Sequence, residues 1–253
     1  MLAALMLAQL WATKIAPPVP LAQGVVLASP TAAARALSVE GIAALPATPV
    51  TITLQCAVDR DTLTFCIPAA DGGTADTRTF WQRALSSDRA QQREADPLLD
   101  AALTRMQYYR VQPMPARPKV TPTVLIREIV SVADRAPSGP PTGISEQRAL
   151  PLTTAPFNPG DFYPASARRA GASNTIRATC RVLADLSLYC RDPQVDLPPR
   201  EGPAPAWRQP EFDRNFLFAT RMMLAAAHAD PVTKSGEPGV GRDVVVRIGW
   251  YIG

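Results

Sequence analysis

The sequence contains little of what catalytic and nucleic-acid-binding sites use. It has one histidine, His228, in 253 residues, and lysine is nearly absent from its 26 basic residues. The net charge is +4, but no run of like charges and no basic stripe interleaved with aromatics occurs, which disfavours dedicated nucleic-acid binding. Glycine-rich phosphate loops, serine elbows and His-Glu metal motifs are also missing. We therefore expect a protein that is not an enzyme and needs no cofactor or metal.

Long apolar runs are missing too. No stretch reaches the roughly 18 apolar residues of a membrane-spanning helix. Residues 1–24 begin with an apolar stretch, Met1 to Ala12, of about the length of a signal-peptide core. We expect residues 1–24 to be a signal peptide or short apolar leader; a truncated membrane anchor is the alternative, because no Lys or Arg precedes the stretch. The expected location is periplasmic, or anchored in the inner membrane and facing the periplasm if the leader is retained.

Only four cysteines are present, and they form two couples of identical spacing, Cys56 with Cys66 and Cys180 with Cys190. Structural zinc sites usually separate paired ligands by two to four residues, whereas nine residues intervene here, and a single histidine supplies no partner set. The spacing predicts two structural disulfides formed in an oxidising compartment.

The segments around the two couples resemble each other. Val50–Cys66 and Asn174–Cys190 align without a gap and share a Thr-Ile pair, both cysteines, a valine, an aspartate and an aromatic residue. The matched positions are Thr51/Thr175, Ile52/Ile176, Val58/Val182, Asp61/Asp185 and Phe65/Tyr189. This agreement indicates an internal duplication with a period near 124 residues.

Polar and apolar residues alternate in each segment, which predicts half-buried strands whose first cysteine points inward. If Cys56 pairs with Cys66 across a hairpin, Val58 faces Thr64 and the turn centres on Asp61.

The two return strands differ in pattern. In the second copy, which turns at Asp185, the apolar residues share the parity of Cys190. In the first copy, Leu63, Phe65 and Ile67 have the opposite parity from Cys66. Either a β-bulge or a sheet covered on both faces is needed to explain the first copy.

A helix is predicted after each hairpin. The first begins with a capping Asp96 and Pro97, and the second has acidic residues, Glu211 and Asp213, in its first turn. Their apolar stripes are Leu98, Leu99, Ala102, Leu103 and Met106 in the first helix, and Phe212, Phe216, Ala219, Met223 and Ala226 in the second.

Each helix is followed by a predicted strand, Thr123 to Val132 in the first copy and Asp243 to Ile252 in the second. The sequence therefore predicts an α+β fold of two β-β-α-β repeats, each a small antiparallel sheet with one helix packed on it. We expect the units at residues 40–134 and 161–253, joined by a Pro/Gly/Ser-rich linker at 135–160.

Three further features are predicted to be structural. His228 follows the second helix, and Asp61 and Asp185 lie at the tips of separate hairpins, where aspartate favours turns. Tyr108-Tyr109-Arg110 has two interpretations, an exposed aromatic and basic patch or packing at the helix end. Packing is favoured, because Tyr109 extends the apolar stripe beyond Met106.

The second half resembles the C-terminal domain of TonB-family energy transducers over about 95 residues. The match runs through Tyr163-Pro164, Ala167, Gly171, the Cys180 to Cys190 hairpin, the helix near residues 211–227, Pro231 and Gly236 to Trp250. The first half resembles a more distant copy. The chain departs from the family where Thr62 and Leu186 replace the turn glycines and where the long Pro-Lys spacer is missing.

The resemblance implies a non-enzymatic binding module that adds an extended peptide of an outer-membrane receptor, or of another envelope protein, to a sheet edge. The implied partner-binding edge is the last strand, Val244, Val245, Val246, Arg247, Ile248, Gly249 and Trp250. An envelope structural or cell-wall-binding protein without receptor contact is the alternative.

Overall fold

The computed structural model describes residues 18–20, 26–69, 80, 96–112, 121–196 and 209–252. The chain divides into a first unit, residues 1–30 and 38–135, and a second unit, residues 31–37 and 136–253. Apart from Pro18–Pro20, the leader predicted at residues 1–24 lies outside the described residues. Within the described ranges, no helix is long and apolar enough to cross a bilayer.

The fold is of the α+β class, with small sheets and few helices. In chain order the described strands and helices are β1 (Pro18–Pro20), β2 (Val26–Ala28), α1 (Ala32–Ser38), β3 (Val50–Asp59), β4 (Thr62–Pro68), α2 (Pro97–Arg105), β5 (Arg110–Val111), β6 (Thr121–Val130), β7 (Ile144–Glu146), β8 (Leu152–Thr153), α3 (Ala165–Ala170), β9 (Asn174–Val182), β10 (Leu188–Val195), α4 (Asp213–Ala225), β11 (His228–Ala229) and β12 (Asp243–Trp250).

The first unit is built on a four-stranded sheet of order β1-β6-β3-β4, in which only β1 runs parallel to its neighbour. Helix α2 begins as predicted, with the Asp96 carboxylate accepting from the N–H groups of Leu98 and Leu99 at 3.0 and 3.1 Å. Its inward face packs on Leu54, Cys56 and Val58 of β3, as predicted, whereas Val50, predicted to face inward, is exposed and Gln55, predicted to face outward, is buried. The core comprises Leu54, Cys56, Val58, Leu99, Ala102, Met106, Tyr109, Val111, Val124 and Ile126.

The second unit has a four-stranded sheet of order β10-β9-β12-β7. Strand β9 is antiparallel to both of its neighbours, β10 and β12, and β7 is parallel to β12. Helix α4 packs on the sheet with the predicted stripe, since Phe216, Ala219 and Met223 lie in the core. The same core holds every inward residue predicted for β9, namely Ile176, Ala178, Cys180 and Val182.

Both predicted disulfides are present, Cys56–Cys66 and Cys180–Cys190. Both features proposed to explain the first hairpin's return strand are present: a β-bulge, shown by the register shift between Gln55 and Ala57, and cover on the second face, where Ala57, Ile67 and Phe80 form a buried cluster. The predicted pairing of Val58 with Thr64 is therefore wrong by one position, and Val58 lies opposite Leu63.

The segment predicted to be a linker, residues 135–160, differs from expectation. Apart from Arg135 it belongs to the second unit and holds β7, β8 and short 3₁₀ turns. Strand β8 pairs with β11. Proline and glycine suit short edge strands and turns as well as linkers, so composition alone did not separate these possibilities.

Candidate binding edge of the second sheet

The sequence predicts that strand β12 is an exposed edge along its length, and the structure shows that only part of this edge is exposed. On one side β12 pairs with β9 along its whole length, from Asp243 to Trp250. On the other side β7 pairs only with Asp243, Val244 and Val245. Beyond Val245, no strand in the described part of the chain pairs with this side. We call the outer side of residues 246–250 the β12 edge.

The backbone groups that the β12 edge presents follow from strand geometry. The Asp243 N–H points outward, because it donates to the Gly143 carbonyl at 2.8 Å. Outward groups recur at every second residue, so those of Arg247 and Gly249 belong to the edge. Among the described residues, the Arg247 N–H meets the side-chain oxygen of Gln147, at 3.4 Å. That distance is long for a hydrogen bond, so an incoming carbonyl can replace it.

The side chains on the inner face of β12 hold the strand in place. Of the four residues predicted to line one face of β12, Val244, Val246 and Trp250 are buried and Ile248 is half-buried. The Trp250 Nε1–H donates to Thr220 Oγ1 at 2.8 Å. Side-chain packing therefore fixes the strand, while its outward backbone groups stay available.

The ring of Trp250 also joins an aromatic cluster with Tyr163 and Phe216, at centroid distances of 5.6 and 6.2 Å. Burial raises the pKa of Tyr163, against the opposing effects of a hydrogen bond with Ser173 and the charge of Arg168. The Tyr163 hydroxyl donates to the Ala172 carbonyl. The Tyr163-Pro164 segment therefore packs against the end of β12 through the contact between Tyr163 and Trp250.

Gly249 allows the ring of Tyr251 to lie close to the backbone at the end of the β12 edge. A side chain there would collide with the ring of Tyr251, which lies across the strand. The Tyr251 hydroxyl is 3.0 Å from Thr175 Oγ1, and this contact holds the ring in place.

Two adjoining cavities meet at the β12 edge, and together we call them the β12 groove. One, of about 270 Å³, has a mainly apolar lining that includes Met223, Leu224 and Ala227 at the C-terminal end of α4. The other is an open cavity of about 830 Å³ on the solvent face of the sheet. The residues that line both cavities are Gln147, Leu152 and Arg247. Apart from Arg247, every charged residue that lines the groove lies in the larger cavity, so we call that cavity the polar part and the smaller one, which reaches α4 on the inner face of the sheet, the apolar part.

The polar part of the groove is mostly basic. Its charged residues are Arg148, Arg177, Lys234 and Arg247 against Glu146 and Asp196. Arg247 Nε is 2.6 Å from a carboxylate oxygen of Asp196.

Asp185 lies at the turn of the second hairpin, as predicted. Its carboxylate accepts from the Ser187 N–H at 3.1 Å, from the Ser187 hydroxyl at 2.6 Å and from the Ala32 N–H at 2.6 Å. Burial raises the pKa of this carboxyl, but these hydrogen bonds and the nearby His228 outweigh it, so the pKa lies below its ordinary value. Leu186, where the family has glycine, has a φ of +67°.

The other candidate residues have the following surroundings. Asp61 belongs to the first unit and lies 3.8 Å from Arg110 Nε. Tyr108, Tyr109 and Arg110 are buried, which confirms packing over an exposed aromatic patch. His228 lies in β11 opposite Thr153.

Sequence reasoning missed a buried charge cluster in the first unit. Arg105 is fully buried and donates to Glu128 at 3.0 Å, to Asp134 at 3.0 Å and to the Ile129 carbonyl at 2.8 Å. The Tyr109 hydroxyl donates to the second oxygen of Glu128. Arginine and glutamate placed far apart in sequence have no local pattern that predicts their pairing.

Comparison with known proteins gives no relative. No protein-family model matches the chain, and neither does any curated protein or solved structure. The two disulfides place the protein in the class that matures in an oxidising compartment outside the cytoplasm.

Proposed function

We propose that the second unit is a non-enzymatic, periplasmic protein-binding module, related to TonB energy transducers, that adds an extended segment of an envelope protein to the β12 edge. The observation on which this proposal depends is the pair of outward backbone positions, Arg247 and Gly249, beside an open groove. Unpaired strand edges bind extended peptides through main-chain hydrogen bonds. Segments of outer-membrane receptors exposed to the periplasm are the proposed partners.

The proposed relationship draws support from the two sheets. Each places a short parallel strand beside its last strand, followed by the first and second strands of the disulfide hairpin. Cys56 lies opposite Val124 in the first sheet, and Cys180 lies opposite Val244 in the second. This common register supports a duplicated β-β-α-β unit of the TonB C-terminal type.

In the described part of the first unit, the equivalent edge position already has a hydrogen-bond partner. Ile129 follows Val124 by five residues, as Gly249 follows Val244. The Ile129 carbonyl already accepts from the buried Arg105 guanidinium, whereas Gly249 meets no strand among the described residues. This difference favours the second unit as the binding unit.

The test uses a substitution that blocks edge pairing without touching the β9 side of the sheet. Arg247→Pro removes an outward N–H. A proline at a strand edge leaves the hydrogen bonds on the other side of the strand undisturbed. Arg247→Ala is the matched control, because it removes the side chain and keeps the donor. The probes are peptides of the periplasm-exposed segments of outer-membrane receptors from the same cells.

We expect at least one receptor peptide to shift the Arg247 and Gly249 amide signals in NMR spectra and to protect them from exchange. Arg247→Pro should abolish that binding, whereas Arg247→Ala should retain main-chain pairing. Equal binding by both variants, or protection elsewhere on the chain, would exclude the proposed mode. Binding of peptidoglycan fragments without any receptor peptide would favour the cell-wall alternative.

A further inference from the structure

The strongest unexplained feature of the second unit is a pair of like charges on its solvent face. Arg177 in β9 and Arg247 in β12 lie directly opposite each other in the antiparallel register. Like charges at such positions destabilise a sheet. Asp196 contacts Arg247, while the Arg177 guanidinium is exposed and has no partner among the described residues.

Two more basic groups face the same cavity. Arg148 and Lys234 are exposed, and neither side chain forms an ion pair with a described residue. Glu146 lines the cavity as well, so basic residues outnumber acidic ones by four to two. An arginine guanidinium binds a carboxylate through two parallel N–H groups, and an unpaired arginine beside a second arginine is suited to receive one.

The apolar part of the groove lies on the opposite face of the β12 edge, against Met223, Leu224 and Ala227. Side chains of an added strand alternate between the two faces of the sheet. Every second side chain of a guest strand therefore meets the basic cavity, and the side chains between them meet the apolar one.

From this geometry we propose that the guest strand has acidic side chains at alternate positions and apolar side chains between them, with Arg177 as the principal carboxylate-binding residue. The inference rests on the proposed edge pairing and specifies the chemistry of its partner. Arg148 and Lys234 surround the bound carboxylate and add long-range attraction.

The experiment compares the binding of three synthetic peptides with capped termini, measured by calorimetry and NMR. The first alternates glutamate with valine, the second has glutamine in place of glutamate, and the third has the composition of the first with all glutamates in one block. We expect the first to bind about tenfold more tightly than the second, a difference of about 1.4 kcal/mol, since charge-assisted hydrogen bonds are roughly twice as strong as neutral ones.

Arg177→Gln should lower the affinity of the alternating glutamate peptide to that of the glutamine peptide and leave the glutamine peptide unaffected. Arg127→Gln, at an exposed arginine of β6 in the first unit, is the matched control and should change neither affinity. Higher salt should weaken the binding of the glutamate peptides only.

The outcomes separate this inference from the proposed function. Equal binding of the glutamate and glutamine peptides, lost in Arg247→Pro, would overturn acidic selectivity and leave edge pairing intact. Equal affinity for the alternating glutamate peptide and for the peptide with all its glutamates in one block would indicate general charge attraction and overturn the proposed alternation. Failure of every peptide, receptor segments included, to protect the β12 edge would overturn both.

Discussion

The carboxylate of Asp185 accepts a hydrogen bond from the Ala32 backbone N–H at 2.6 Å, which joins the turn of the second hairpin to the first turn of α1. The next N–H, of Ala33, donates to Ser187 Oγ at 3.0 Å. The first N–H groups of a helix have no partner within it, and here the second unit supplies two. A short segment that interrupts the first unit in sequence, residues 31–37, is therefore part of the second unit's fold.

Asp185→Asn should weaken this attachment in a pH-dependent manner. Because folding lowers the pKa of Asp185, its stabilising effect is complete above the ordinary pKa of 3.8 and is lost as the pH falls through the lower value of the folded state. Exchange of the Ala32 and Ala33 amides should be faster in the variant at neutral pH, and the difference should vanish in acid. Asp230→Asn, at an exposed aspartate of the same unit, is the control. A difference that is constant with pH would contradict the assignment.

A fragment of residues 136–253 should be less stable than the intact second unit, because it lacks α1. Ala33, Ala34 and Ala36 are buried, and the Thr31 hydroxyl donates to the Ala225 carbonyl at 2.6 Å. Adding a synthetic peptide of residues 29–40 should raise the melting temperature of the fragment. A peptide with Thr31→Val and Ala33→Glu should not. An unchanged melting temperature with the native peptide would show that the fragment needs no α1.

Arg105→Met should destabilise the first unit by about 3–5 kcal/mol, because it leaves the Glu128 carboxylate buried without its cation. Chemical denaturation measures this effect, and Arg127→Met, at an exposed position of the same sheet, should change stability by less than about 0.5 kcal/mol.

The double variant with Arg105→Met and Glu128→Met should recover part of the loss, since it removes both charges together. If the single and double variants are equally destabilised, packing of the arginine side chain, not its charge, is the stabilising factor.

Arg60→Gly should stabilise the first hairpin. Arg60 is exposed and has a φ of +57°, a left-handed conformation that costs an L-residue roughly 1 kcal/mol relative to glycine. The expected gain in unfolding free energy is therefore of the order of 1 kcal/mol. Arg127→Gly, in the middle of β6, should have the opposite sign, because glycine weakens a strand interior. A loss of stability at both positions would refute the argument.

Features set by neighbouring residues could be predicted from the sequence. The cysteine spacing predicted both disulfides, Asp96 before Pro97 predicted the start of α2, and the parity of Leu63, Phe65 and Ile67 allowed a bulge in the first hairpin. In each case one short segment contains the whole physical cause.

Features set by distant residues could not be predicted. Strand β7 has three residues and forms because β12 pairs with it, so the sequence contains no hydrophobic periodicity that predicts it. The attachment of Ala32 to Asp185 spans 153 positions, and Arg105 finds Glu128 only once α2 packs beside β6. The basic groove likewise depends on Arg177 and Arg247 meeting across two strands that are far apart in sequence.

The discontinuous second unit has a consequence for the order of events during synthesis. Thr31 leaves the ribosome 194 residues ahead of Ala225, whose carbonyl it will contact. Residues 38–135 of the first unit are made between these two partners, so α1 can dock only after the C-terminal part of the second unit has been synthesised.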